Sequence, residues 1–233
     1  MQEIKSEFNG FPFFELQACG YNVAVLGQKS YNGVAILSRD KINVIHENLP
    51  EFPDDQARYL EADILHDGKS CRVASVYLPN GNSPYNNPAD NSKFEYKLAW
   101  MDAFLKHMQQ LSSLPQPVIV GGDFNVIMTD KDVYDPKAYA NNALFRIEAR
   151  QRLKQMSFLG FYDAFRTLHP DDIGYTFWDY AGKSLNADHG MRIDYIFLSA
   201  LAVDALTSSA VDKAPRLNDK PSDHTPLIAE LAE

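Results

Sequence analysis

The sequence is poor in cysteine, in long apolar runs and in positive charge. Its 233 residues include only two cysteines, Cys19 and Cys71, too few for a disulfide framework or a thiolate zinc site. We expect two reduced, buried thiols in a cytoplasmic protein, with a single disulfide as the alternative. No apolar stretch approaches the ~18 residues of a membrane span. The opening Met1-Gln2-Glu3-Ile4-Lys5 lacks the charged-then-apolar layout of a secretory signal. Lys and Arg number 22 against 31 Asp and Glu, a formal net charge of −9, whereas nucleic-acid-binding domains usually carry a basic stripe. That acidity weighs against DNA without excluding it. Carboxylates around a metal site add to the acidic count, and a local arginine and lysine cluster can still face a phosphate backbone.

What is present is ample core material: 45% hydrophobic residues and 12% aromatic. No linker, internal repeat or low-complexity segment divides the chain, so residues 1–233 read as one domain. Period-two alternation marks strands at Val34 to Leu37, Ile42 to His46, Tyr59 to Leu65 and Arg72 to Leu78. The last two are joined by Asp67-Gly68, a hairpin signal. Leu98, Met101, Phe104 and Met108 recur at helical spacing within about Lys93 to Leu111, and a second helix is expected over about Asn142 to Ser157. Further strands are expected at Tyr175 to Trp178, Arg192 to Leu198, about Val203 to Ala210, and Leu227 to Leu231. This order lacks a regular βαβ alternation, which predicts an α+β fold of mixed, mainly antiparallel sheets with helices outside.

Chemistry concentrates in two places. The apolar run Pro117-Val118-Ile119-Val120 ends in Gly121-Gly122-Asp123-Phe124-Asn125, and Ser222-Asp223-His224 precedes the last strand. The glycines are expected to turn the backbone so that the Asp123 carboxylate and the Asn125 amide project from the strand's end. His224 can bind or stabilise a developing oxyanion. Arg192 and Asp194 share one face of a strand, and Asp194 is placed either to orient His224 or to serve as an ordinary salt-bridge partner. His46, His66, His107 and His169 stand in no motif and read as structural. Oxygen donors without a Cys or His cluster at ligand spacing favour Mg²⁺, with Mn²⁺ as substitute, over zinc.

These segments, with Tyr175-Thr176-Phe177-Trp178 and Met191-Arg192-Ile193-Asp194-Tyr195, make the chain resemble the exonuclease III family of abasic-site endonucleases, within the endonuclease/exonuclease/phosphatase superfamily. The likeness runs from Gln2 to the final strand. It implies a four-layered α/β sandwich with two sheets face to face. It also implies a Mg²⁺-dependent DNA phosphodiesterase that cuts 5′ to abasic sites, with 3′→5′ exonuclease and 3′-phosphatase activity. By the resemblance Glu3 is a metal ligand and Asp223 an acid near the metal. Tyr77 and Asn80 contact the scissile phosphate, Asp123 aligns or activates water, and Asn125 is its hydrogen-bonding companion. His224 binds phosphate, paired with Asp194. Phe177, Met191 and Ile193 build an apolar pocket for a base-less sugar, with Arg192 beside them on the substrate side. The implied partner is double-stranded DNA with abasic sites or blocked 3′ ends, met by a cytoplasmic monomer without membrane contact.

In the family a core strand bearing an asparagine precedes the segment that matches Gln2-Glu3. The sequence therefore carries the expectation of a chain truncated at its N-terminus relative to the family, with impaired activity. The rivals are a phosphatase or phospholipase of the same superfamily, acting on inositol phosphates or sphingomyelin, and a catalytically impaired DNA-binding fragment.

Overall fold

The computed structural model describes residues 1–84, 87–181 and 184–232. Its centre is a six-stranded sheet. The strands are β3 (Lys41–Glu47), β4 (Tyr59–His66), β5 (Lys69–Tyr77), β6 (Val118–Asp123), β7 (Phe161–Asp163) and β8 (Asp194–Ser199), in the order β3-β4-β5-β6-β8-β7. All pairings are antiparallel except β5 with β6. A parallel pair needs a crossover, and helix α2 (Ser92–Leu111) supplies it. The β4–β5 hairpin turns on Asp67 and Gly68, at φ 46° and 79°, the two positive values that a type I′ turn requires.

Strand alternation divides the chemistry between the two faces of this sheet. Val118 and Val120 pack with Phe104, Met108 and Trp100 of α2, and with Leu153 and Met156 of α3 (Ile147–Phe158). Fully buried side chains of this size each contribute ~1.5–3 kcal/mol. Ile119, Gly121 and Asp123 face the other way. There β1 (Asn22–Leu26) and β2 (Val34–Ser38) form one two-stranded sheet, and β9 (Leu206–Val211) and β10 (Leu227–Leu231) another. The first packs Ala24, Val34 and Ile36 on Leu60 and Ala62. The second packs Ala229 and Leu231 against Ile119, Ile196 and Leu198. α1 (Phe13–Ala18) covers the outside of β1 and β2 through Phe13 and Leu16. The order of layers is the expected sandwich, but the second sheet layer is split. Between its halves runs a cleft of about 960 Å³.

Three expectations are corrected here. Tyr175 to Trp178 is not a strand, because only Phe177 makes bridges, to Met191 and His224. The second helix begins at Ile147 rather than Asn142, whose side chain instead accepts from the Leu144 amide at 2.9 Å. Cys19 and Cys71 are free thiols, but Cys19 is exposed and Cys71 only half-buried. Helix α1, helix α4 (Ala164–Leu168), helix α5 (Ala200–Val203) and strands β1 and β7 were not anticipated, and the strand expected from about Val203 begins at Leu206.

Candidate active site

Asp123 ends β6 and is 4% exposed. The turn beyond it is made by Asn125, at φ 47°, and not by the glycines. The Asn125 amide N–H donates to Asp123 Oδ1 at 2.8 Å, and Asn125 Nδ2 donates to Asp123 Oδ2 at 2.9 Å and to the Leu78 carbonyl at 3.0 Å. Asn80 Nδ2 donates in turn to Asn125 Oδ1 at 3.0 Å. The glycines lie within the strand. Gly122 sits at φ 151°, where a Cβ would overlap the Val76 carbonyl of β5, so its role is close approach between strands.

His224 faces this carboxylate. Its Nε2 is 3.9 Å from Asp123 Oδ2, and its Nδ1 is 2.8 Å from Asp194 Oδ2, which also accepts from the Thr176 hydroxyl at 2.6 Å. Asp194 therefore fixes the ring, and Thr176, fully buried in the Tyr-Thr-Phe-Trp segment, fixes Asp194. Burial pushes Asp123 up to about 7, against the opposing pull of His224. Burial works against a charge on His224, but Asp194, Asp123 and Asp223 outweigh it and raise the imidazole to about 10. The pair thus holds a protonated histidine beside a carboxylate that titrates near neutrality.

Glu3 and Asp223 line the same cleft as Asp123, Asp194 and His224. Glu3 accepts a hydrogen bond from the Tyr77 hydroxyl and pairs with Lys5 at 2.8 Å. Burial opposes its charge, yet Lys5 and Tyr77 hold its carboxyl below the ordinary range. This all-oxygen donor set fits a hard cation, since Mg²⁺ keeps several waters and uses only one or two protein carboxylates.

Other predicted residues are placed differently. Phe177 packs on the His224 ring at 5.0 Å between centroids. Met191 and Ile193 join it in one apolar cluster with Ile127, Val133 and Leu144, but they are 7% and 2% exposed. Of these three, only Phe177 is partly exposed. Arg192 is 1% exposed and lies in a buried ion network, Nε to Asp132 at 2.7 Å and Nη1 to Asp163 at 2.6 Å. It braces the chain instead of facing the cleft.

One residue escaped the sequence reading. Lys97 of α2 is fully buried and donates from Nζ to three carbonyls, those of Asn80 at 3.0 Å, Asn125 at 2.6 Å and Ala143 at 3.2 Å. Burial lowers its amine to about 7, while the charge of Asp123 works in the opposite direction. Its place among Phe94, Trp100, Met101 and Phe104 on the buried stripe of α2 was the available signal.

The family model described as Endonuclease/Exonuclease/phosphatase family matches residues 1–224. Exodeoxyribonuclease III of Haemophilus influenzae is 28% identical over 239 residues, spanning 99% of this chain and 88% of that protein. Among solved structures, a 3′ phosphatase, NExo, from Neisseria, bound to a product DNA hairpin, superimposes with a TM-score of 0.92 at 34% identity. That match covers 100% of this chain and 87% of the other. An AP endonuclease from Archaeoglobus fulgidus gives 0.91 at 33% identity, covering 99% and 87%.

Proposed function

The chain belongs to the endonuclease/exonuclease/phosphatase family, in its exonuclease III branch of DNA-repair nucleases, and from that premise we propose a Mg²⁺-dependent phosphodiesterase that cuts DNA 5′ to abasic sites, with 3′→5′ exonuclease and 3′-phosphatase activity at the same site. The observation that carries this reading is the 3.9 Å approach of His224 to Asp123 in an open cleft, with Asp194 behind the histidine.

In this mechanism Asp123 takes a proton from a water in the cleft, and the water oxygen forms a bond to phosphorus. The P–O3′ bond breaks opposite it and the departing O3′ takes a proton from solvent, leaving a 3′ hydroxyl and a 5′ phosphate on the abasic sugar. Asn125 holds the Asp123 carboxylate through two hydrogen bonds, so its geometry is set before substrate arrives. Protonated His224 offsets charge that builds on the phosphate oxygens, and Asp194 keeps the imidazole oriented. Tyr77 and Asn80 stand at the phosphate, Tyr77 beside Glu3 and Asn80 beside Asn125. Glu3 and Asp223 would hold Mg²⁺, which supplies Lewis-acid stabilisation of the phosphoryl oxygens. Phe177, partly exposed and packed on His224, offers an apolar surface against which a base-less sugar can pack.

The test is cleavage of an abasic-site duplex with Mg²⁺, beside inositol phosphates and sphingomyelin, using wild type and Asp123→Asn. The expected result is duplex cleavage that is lost on chelation and falls ~10²–10⁴-fold in the variant, with duplex binding retained. Hydrolysis of inositol phosphates or sphingomyelin without duplex cleavage would overturn the substrate. A variant retaining more than about a tenth of the rate would remove Asp123 from the chemistry.

A further inference from the structure

On the face of the central sheet turned away from the cleft, three chemistry-bearing side chains converge from three elements. The β3–β4 register sets His46 opposite Glu61, and α2, lying across that face, brings in His107. One ligand atom from each lies within 4.8 Å of the others. Among the described residues this is the group of three or more His, Cys, Asp or Glu with metal-ligand spacing.

The surroundings are built rather than incidental. Glu61 is 0% exposed and His107 is 5% exposed. Glu61 Oε2 lies 2.6 Å from His107 Nε2 and accepts from the Tyr59 hydroxyl at 2.6 Å, while Arg72 holds the other oxygen. Burial works against the Glu61 charge, but His107, Tyr59 and Arg72 outweigh it and keep the carboxyl below its ordinary range. His107 Nδ1 is buried and has no hydrogen-bond partner among the described residues. An orphan of that kind costs ~1–3 kcal/mol. The same ring walls a cavity of about 80 Å³, together with Pro50, Glu51, Ala103, Lys106 and Gln110. Since one water needs only ~10–15 Å³ by a comparable measure, the cavity has room for water on the His107 side of the group.

We propose that His46, Glu61 and His107 bind a divalent transition-metal ion of the zinc class, at a site separate from the catalytic cleft. Two imidazole nitrogens and one carboxylate oxygen form a borderline donor set that suits zinc and its neighbours and is a poor cage for Mg²⁺, which prefers six oxygens. A water takes the remaining position. Tyr59 and Arg72 orient Glu61 from behind, the part that second-sphere groups play around metal-bound carboxylates. On binding, the ion displaces the proton held between His107 Nε2 and Glu61 Oε2 and releases it to solvent. The ion ties β3 and β4 to α2, so binding to the folded chain raises its stability by mass action.

The experiment titrates the chelator-treated chain with Zn²⁺ in Mg²⁺-containing buffer, with calorimetry and thermal melting as readouts and the visible spectrum of bound Co²⁺ as a third. The expected result is one Zn²⁺ per chain outside the cleft, a raised melting temperature and a four-coordinate Co²⁺ band. His46→Ala, at a half-buried position that tolerates truncation, should weaken binding at least about tenfold, as should His107→Gln. Glu3→Gln and Asp123→Asn should leave this binding unchanged. The proposal is overturned if the folded wild type takes up no Zn²⁺ at micromolar concentrations. It also falls if His46→Ala binds Zn²⁺ as tightly as wild type, or if only the cleft variants lose it.

Discussion

Asp123 is a buried carboxylate whose ionised form the fold disfavours, since its value stands near 7 against an ordinary value of 3.8. A carboxyl raised in the folded state costs nothing below its unfolded value, and the cost grows until pH passes the folded one. Asp123→Asn should therefore be more stable than wild type at pH 8 in metal-free buffer, by ~1–3 kcal/mol, and melt higher, and the gap should close towards pH 4. Equal melting temperatures at pH 8 would show that the carboxylate is better solvated than its burial implies. As a base Asp123 must be ionised, and as an oxyanion partner His224 must be protonated. In the wild type kcat/KM should rise through about 7 and fall through about 10; a flat profile between pH 5 and 8 contradicts the first role, and no fall as pH passes about 10 contradicts the second. Lys97 acts at one remove, since its three carbonyl acceptors fix the backbones of Asn80 and Asn125. Lys97→Met should lower kcat by roughly 10- to 100-fold through misplacement of those amides while leaving KM within about twofold. A rise in KM with unchanged kcat would assign Lys97 to substrate binding.

At the scale of elements, β6 shows how a strand can carry a site only if its neighbours come close. A Cβ at Gly122 would overlap the Val76 carbonyl, and φ 151° strains any side chain, whereas a Cβ at Gly121 would meet Ile196 Cγ1 at 3.6 Å, an ordinary contact. Gly122→Ala should destabilise by ~3–5 kcal/mol and Gly121→Ala by less than ~1.5 kcal/mol, read by urea unfolding. Equal losses would mean that the β5–β6 spacing relaxes freely. The same contrast explains what could be read in advance. The β4–β5 hairpin was legible because alternation and Asp67-Gly68 agree. β1 was not, because α1 covers Val23 and Val25 while the central sheet covers Ala24, leaving no polar alternation to read. Tyr175 to Trp178 had strand composition, but the Thr176 hydroxyl is committed to Asp194. Asp123, Asn125 and His224 were legible as short motifs. The Lys97 clamp and the His46–Glu61–His107 group were not, since each joins residues far apart in sequence through β3, β4, β6 and α2. Arg192 lies before β8 and is buried away from the cleft that Asp194 lines, and no sequence pattern announced Asp132 and Asp163 as its partners.

For the whole molecule the central problem is how a chain of net charge −9 holds a polyanion. The cleft makes it sharper: Glu3, Asp123, Asp194 and Asp223 line it, against Lys5 and His224. Protonated His224 and Lys5 offset two of those four charges, and a bound divalent cation would offset the remaining two. DNA affinity should therefore depend on Mg²⁺ more steeply than the catalytic step alone requires. The remaining attraction must come from basic side chains outside the acidic lining, such as Arg58 beside Tyr77 and Lys213 beside Trp178. If four to six phosphates are neutralised in all, log affinity for an abasic duplex should fall against log salt with a slope of roughly −4 to −5. Measured by fluorescence anisotropy with Mg²⁺ and Asp123→Asn to block turnover, that slope separates the two substrate classes. A duplex lying across the rim displaces several counterions, whereas an inositol phosphate in the cleft meets only His224, Lys5 and the metal. A slope near zero would favour the small-molecule phosphate, whatever its hydrolysis rate.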